Sequence, residues 1–208
     1  MIITYHGGGL IKAQLADKVV AFNPIGKDAE EKPVRFGANL VLISLNHPLY
    51  NGVEFMAHGS KTPLVIDGPG EYEADEVFVR GLLSTGPEGK INTIYSVLFE
   101  DIRLVHLGAL AEPKLDDKIR EAIGVVEILF VPVGAGRLAP AEAAKLALSF
   151  SPKIIIPIDY SGETKWLKDF LKEIGNNSEE LEKLTLKKKD LLTDEVKTVV
   201  LKVSWRFI

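Results

Sequence analysis

The sequence has 208 residues, of which 46% are hydrophobic, with a formal net charge of −4 and no cysteine. This length and hydrophobic content suffice for one sizeable core, so we expect a single domain over residues 1–208. The acidic balance disfavours a nucleic-acid partner, and the lack of cysteine excludes disulfides, thiolate metal sites and a cysteine nucleophile.

Short β-branched runs separated by Gly, Pro and Asn dominate the first half of the chain. This pattern is typical of strands joined by tight turns. Strands are predicted at residues 2–5, 10–15, 18–22, 40–44, 64–66, 77–82, 93–99 and 103–107. The start, MIITYHGGGLIKAQL, lacks the features of a secretory signal peptide, and no apolar run reaches membrane-spanning length. We therefore expect a soluble cytoplasmic protein without a membrane partner.

Helices alternate with strands in the second half. Helical periodicity is seen at residues 114–123, 140–150 and 164–174. The runs at residues 125–131 and 153–158, which are apolar apart from Glu127 and Lys153, are typical of buried central strands. This order predicts layered α/β packing. The segment NNSEE at residues 176–180 is predicted to be a loop, and residues 198–203 to be a strand. The terminal SWRFI carries exposed-looking aromatics, which favours a contact with a second copy of the chain or with another domain.

Four segments place a turn directly after an apolar strand, where α/β proteins collect their functional residues. They are VVAFNPIG at residues 19–26, LVLISLNHPLYNG at residues 40–52, IRLVHLGAL at residues 102–110 and IIIPIDY at residues 154–160. In this order they resemble the metallo-β-lactamase superfamily, especially its ascorbate-6-phosphate-lactonase-like branch. The segment DGPGEYE at residues 67–73 is also similar to that branch. The resemblance implies an α/β (α+β) fold, a four-layer αβ/βα sandwich over nearly the whole chain.

The resemblance fails at the metal-binding positions. The family's H-x-H-x-D-H motif is matched at Leu45, His47, Leu49 and Tyr50. His47 is thus the one ligand of that motif that survives. Ala109 replaces the bridging aspartate of the family's "HLGDLG", Asp159 replaces the closing histidine of "IP-x-HY", and Ser-Thr-Gly-Pro at residues 84–87 replaces an expected His-Asp pair. A catalytic zinc needs about three protein ligands and an open position for water, so we expect no metal or other cofactor. The alternative is one divalent ion.

His47 and Asp159 are the candidate catalytic residues. His47 keeps a ligand position, and the alternative is that it hydrogen-bonds its own loop. Asp159 follows a buried strand and would serve as an oxygen ligand or a general base, or else bond the start of the next helix across residues 161–162. If a metal binds at all, its expected ligands are His47, Asp159 and Glu71. A related hypothesis has Glu71 and Glu73, which share one face of a strand, hold a hard cation with Asp159.

The remaining histidines favour structural roles. His106 is interpreted as a satisfied histidine at a strand end, and His6 and His58 are isolated. His6 precedes the run Gly7-Gly8-Gly9, which suits a hairpin turn and, as an alternative, a backbone cradle for an anion.

Two hypotheses for function follow. In the first, the chain is a metal-free pseudoenzyme that binds a small molecule or a protein partner, or assembles as a homo-oligomer. In the second, it is a hydrolase of the lactonase or phosphoesterase type with a rebuilt single-metal or metal-free site around His47 and Asp159. RNA binding is disfavoured by the acidic balance.

Overall fold

The computed structural model describes residues 1–134, 136–160, 164–175 and 178–204. Within these ranges the chain forms two β-sheets and three α-helices. The predicted α/β class is confirmed. The predicted terminal aromatics Trp205 and Phe207 lie outside the described residues, as do residues 161–162.

The first sheet gathers strands mainly from the N-terminal part. Its strands are β1 (Ile2–Tyr5), β2 (Ile11–Leu15), β3 (Lys18–Phe22), β4 (Leu40–Leu42), β5 (Leu64–Ile66) and β13 (Leu184–Thr185). The order is β13-β1-β2-β3-β4-β5. Strands β1 to β3 form an antiparallel meander, and β4 and β5 then add in parallel.

The second sheet is larger and contains the buried central strands. Its strands are β6 (Gly70–Ala74), β7 (Val77–Thr85), β8 (Ile91–Phe99), β9 (Ile102–His106), β10 (Ile128–Pro132), β11 (Ile154–Ile158), β12 (Ser178–Leu181) and β14 (Lys197–Leu201). The order is β12-β14-β11-β10-β9-β8-β7-β6. Strands β6 to β9 are antiparallel, whereas β9, β10, β11, β14 and β12 run parallel, so the carboxyl ends of β9, β10 and β11 meet at one edge.

Along the central strands, successive side chains point alternately into the core between the sheets and into the core on the outer face of their own sheet. Side chains such as Phe22, Leu42, Val97 and Phe130 fill the space between the sheets. Their neighbours in sequence point the other way, as the period of two requires.

The outer face of the second sheet packs against α1 (Asp117–Ile123), α2 (Pro140–Ser149) and α3 (Thr164–Ile174). The outer face of the first sheet is covered differently. There Val41 and Met56 pack with Phe36 and Phe55, which belong to an irregular segment and to a 3-10 helix at Val53–Phe55. In the described part of the chain this outer layer holds no α-helix.

Most predicted elements are confirmed, with boundary shifts of a few residues. The apolar run from Val125 enters its strand only at Ile128, and Val125 itself is 75% exposed. The loop prediction at residues 176–180 is wrong for residues 178–180, which lie in β12. The predicted strands omit β13, whereas β6 contains the strand on which the sequence places Glu71 and Glu73. No helix in the described ranges has the length and apolar character needed to cross a membrane.

Candidate functional site

The candidate site lies where the strand-end loops of both sheets meet. Residues 44–50 follow β4, His106 ends β9, Arg137 lies in the loop after β10, and Asp159 follows β11. Because β9, β10 and β11 are parallel, their loops emerge on the same side of the sheet. We call the space between these loops the cleft.

A buried ionic network occupies the cleft. Arg137 Nε lies 2.5 Å from Asp159 Oδ2 and 2.9 Å from the Tyr50 hydroxyl. Tyr50 donates its hydroxyl proton to Asp159 Oδ2 at 2.5 Å, and Arg137 Nη2 also donates to the Tyr50 hydroxyl. The side chains of Arg137 and Asp159 are only 11% and 6% exposed. The Asp159 carboxylate is therefore held by two partners inside the protein.

Tyr50 remains protonated in this network. Burial raises the pKa of the Tyr50 hydroxyl well above its usual value, and the negative charge of Asp159 adds to the effect. The hydroxyl is therefore a donor to Asp159 and an acceptor from Arg137, which gives the network a net charge of zero.

The backbone around Asp159 is tightly packed. Asp159 has a φ of 61°, in the left-handed region that non-glycine residues seldom adopt. Its N–H donates to the Gly8 carbonyl at 2.8 Å, and a Cβ on Gly134 would lie 2.3 Å from the Asp159 carbonyl oxygen. Glycine at position 134 thus lets the loop after β10 approach the end of β11 closely.

Apolar side chains fill the neighbouring positions. Leu45, Tyr50 and Ala109 form one buried cluster, and Leu49 packs against it. Leu45 is 6% exposed, and Tyr50 and Ala109 are fully buried. The positions that the resemblance assigns to metal ligands are therefore occupied largely by packed hydrocarbon.

His47 lies at the rim of this cluster. Its ring is half-buried, 6.2 Å from the Tyr50 ring between centroids, and Nδ1 accepts a hydrogen bond from the Leu49 N–H at 3.2 Å. Its carbonyl accepts from the Tyr50 N–H at 2.8 Å. His47 thus hydrogen-bonds its own loop, as the structural alternative to a catalytic role requires.

Glu71 lies far from these residues. It is on the edge strand β6, where its carboxylate pairs with Arg80 at 2.8 Å, and β6 is five strands away from β11 in the sheet order. At about 4.8 Å per strand, that places Glu71 roughly 24 Å from the end of β11. The structure does not bring Glu71, or Glu73 beside it, to Asp159.

These residues do not fit the metal centre that the resemblance implies. Among the described residues, no three His, Asp or Glu side chains gather as a ligand group. Of the matched positions, only His47 and Asp159 carry an imidazole or a carboxylate, and the Asp159 carboxylate is already bound to Arg137 and to the Tyr50 hydroxyl. A zinc ion would lack its usual ligand number.

The other polar residues near the cleft hold its loops. His106 Nε2 donates to the Gly9 carbonyl at 3.0 Å, and Nδ1 accepts from the Gly108 N–H at 2.9 Å, which confirms the structural reading of His106. Asn92 Oδ1 accepts from the Ala109 N–H at 2.8 Å.

The glycine run closes the β1–β2 hairpin, as predicted. Gly7 and Gly8 have φ values of 92° and 50°, and the Leu10 N–H donates to the Gly7 carbonyl at 2.9 Å. A Cβ at Gly7 would lie 2.7 Å from Oε2 of Glu31. The chain's own carboxylate therefore lies against the run that the sequence suggests as an anion cradle.

Arg137 is the important residue that sequence reasoning missed. A lone arginine in a glycine-rich loop carries no spacing signal. The available clue was its place after β10, since β10 and β11 are parallel neighbours and their carboxyl ends meet.

Comparisons with known proteins agree with this architecture. Residues 2–159 match the family model of the beta-lactamase superfamily domain. A structure from Thermotoga maritima, assigned as a zinc-dependent hydrolase of the metallo-β-lactamase superfamily, is 25% identical, with a TM-score of 0.79, over 97% of this chain and 99% of that chain. A metallo hydrolase from Ignicoccus hospitalis is 13% identical, with a TM-score of 0.66, over 100% and 99% of the two chains, and shows the fold alone. The comparison with curated proteins returns no match.

Proposed function

Since the chain belongs to the metallo-β-lactamase superfamily, we propose that it keeps the fold of a metal-dependent hydrolase but serves in binding or assembly. The observation that carries the proposal is the filled cleft. A buried Arg137–Asp159 ion pair and the cluster of Leu45, Tyr50 and Ala109 lie where hydrolases of this superfamily are expected to hold metal ligands.

The chemistry of the donors supports this role. A bound metal lowers the pKa of its water molecule to about 7 and so supplies hydroxide at neutral pH. Leucine and alanine have no lone pair to offer such an ion. An emptied cluster of carboxylates and imidazoles would be costly to bury, and apolar replacements at several positions remove that cost.

A groove beside the cleft is the surface at which we expect a small molecule or a protein partner to bind. It has a volume of about 410 Å³ and lies between residues 83–91 and residues 110–119. Leu83 and Ile91, which line it, are 56% and 68% exposed. Exposed apolar side chains that adjoin a groove are typical of interaction surfaces.

Elemental analysis tests the proposal. The protein is purified without chelator after growth with added zinc, iron and manganese, and we expect far less than one metal per chain. We also expect no turnover of lactones or phosphodiesters. Stoichiometric metal that is lost in both His47→Ala and Asp159→Asn would contradict the proposal, and loss in neither would assign the metal to another place.

A hydrolase with a rebuilt site at His47 and Asp159, single-metal or metal-free, is the second candidate. It is favoured by the likeness to the Thermotoga maritima protein and by the half-exposed ring of His47. It predicts that His47→Ala and Asp159→Ala each abolish turnover of an ester or lactone while the melting temperature stays unchanged. If Asp159→Ala instead lowers the melting temperature and no activity is found in the wild type, the binding role is supported.

The finer placement of the chain is part of the same proposal. Residues 67–73 and the strand-end motifs support the ascorbate-6-phosphate-lactonase-like branch. We further propose a single domain and a cytoplasmic location. We also propose self-association as a homo-oligomer, and light scattering of the purified protein measures this directly.

A further inference from the structure

We propose that Arg137 supplies the positive charge that metal ions supply in hydrolases of this fold, and that it locks the cleft shut through Asp159 and Tyr50. We call these three residues the latch. The inference deepens the proposed function and rests on it in one respect, namely that the working protein has no metal in the cleft.

Geometry is the first support for the latch. Nε and Nη2 of Arg137 point to the same side, and both donate to the Tyr50 hydroxyl while Nε also reaches Asp159 Oδ2. Arginine presents such a fixed fork of donors, which suits simultaneous contact with two oxygens. The three side chains come from the loop after β4, the loop after β10 and the end of β11, so the latch ties both sheets together at the cleft.

Charge balance is the second support. Asp159 contributes one negative charge, Arg137 one positive charge, and Tyr50 none, because its burial keeps the hydroxyl protonated. A divalent cation would have to displace the guanidinium and the Tyr50 hydroxyl before it could bind Oδ2 of Asp159. The latch therefore explains how the buried Asp159 carboxylate is compensated without a metal ion.

Burial distinguishes this pair from the others. Among the ion pairs of the described residues, Arg137–Asp159 alone has both side chains less than 12% exposed. Breaking a buried pair leaves an uncompensated charge in a medium of low polarity, whereas an exposed pair contributes little. Substitutions of Arg137 and Asp159 should therefore have strongly non-additive effects on stability, whereas substitutions of a surface pair should have additive effects.

A double-mutant cycle with Arg137→Met and Asp159→Asn tests the latch by thermal melting of the full chain. Arg137→Met strands the carboxylate, and we expect its melting temperature to fall by on the order of 10 °C. The double variant removes both charges and should regain roughly half of that loss. Shifts that simply add in the double variant would overturn the inference.

The exposed pair Arg80–Glu71 is the matched control. It has a similar geometry, with distances of 2.8 Å and 2.9 Å, but its side chains are 45% and 74% exposed. The cycle with Arg80→Met and Glu71→Gln should be additive. If Arg137→Met alone does not fold, folding of the double variant supports the latch, and failure of both overturns it. Stoichiometric zinc in the wild type contradicts the proposed function, whereas additivity contradicts the latch alone.

Discussion

At the scale of single residues, His106 shows how burial can fix a protonation state. Its ring is fully buried and stacks on Phe22, with centroids 5.2 Å apart and planes at 9°. Donation to the Gly9 carbonyl and acceptance from the Gly108 N–H require the neutral ring with its proton on Nε2. Burial lowers the pKa of His106 to about 3. Protonation of this ring therefore opposes folding.

This shift predicts a loss of stability in mild acid. The unfolded chain takes up a proton near pH 6.5 and the folded chain only near pH 3, so stability is full above pH 6.5 and declines as the pH falls through this window. Between pH 7.5 and pH 5 the expected contribution of His106 is a loss of about 2 kcal/mol. Urea denaturation at the two pH values measures it.

The control variants separate His106 from other titrating groups. His106→Gln is less stable at pH 7.5 but should lose clearly less between the two pH values than the wild type. His58 is exposed, so His58→Gln should keep the full wild-type dependence. Equal pH dependence in the wild type and His106→Gln would refute a buried neutral ring.

The sequence predicted the individual residues unevenly. Since a strand-end histidine followed by a glycine is a local pattern, the role of His106 could be read from its context. The pairing of Arg137 with Asp159 depends on the neighbouring order of β10 and β11, which no local spacing encodes. Tyr50 was recognised only as a lost ligand position, because its contact with Asp159 spans 109 positions in the sequence.

At the scale of elements, the hydroxyl of Tyr95 is one of the contacts that join the two sheets. Tyr95 lies on β8 of the second sheet, and its hydroxyl is within 2.9 Å of the Ile43 carbonyl and 3.0 Å of the Ile66 carbonyl, both at strand ends of the first sheet. The Ile66 carbonyl also accepts from the Ile43 N–H at 2.9 Å. The Ile43 carbonyl therefore depends more on Tyr95 than the Ile66 carbonyl does.

Tyr95→Phe should accordingly destabilise the protein. It leaves a buried carbonyl short of a partner, and the expected cost is about 1–3 kcal/mol in the free energy of unfolding. Tyr72→Phe is the matched control, because Tyr72 is 37% exposed and water can replace its contacts with Gly68 and Pro69. Chemical denaturation of the two variants should differ clearly, and equal losses would argue against a bond between the sheets.

The edge strands of the second sheet carry the weakest signal in the sequence, for a physical reason. Strands β6 and β12 lie at the two edges of the second sheet, and most of their residues are exposed. Their sequences, GEYEA and SEEL, alternate little between apolar and polar residues, so periodicity gives no signal. The central strands β10 and β11 are buried on both faces, and their continuous apolar runs made them predictable.

At the scale of the whole molecule, stability should be graded from the centre of the second sheet to its edges. Amides of β10 and β11 lie between two cores and bond to strands on both sides. Amides of β6 and β12 have a strand on one side only. Edge strands open in local fluctuations that leave the rest of the fold intact.

Hydrogen exchange followed by mass spectrometry tests this gradient. Peptides from β10 and β11 should exchange only through near-global unfolding, whereas peptides from β6 and β12 should exchange at least about tenfold faster. Because all four strands are measured in the same sample, each serves as the reference for the others. Uniform protection across the sheet would mean that the molecule opens only as a whole.

The filled cleft also limits the routes by which this protein can evolve. A metal centre of the kind that the resemblance implies would have to arise through single substitutions such as Leu45→His or Ala109→Asp. Each of these alone would bury an imidazole or a carboxylate in the cluster around Tyr50, and no bound ion would yet offset the free energy lost by desolvation. Natural proteins have only about 5–15 kcal/mol of stability to lose. The packing of these few side chains thus opposes the stepwise construction of a metal centre in this cleft.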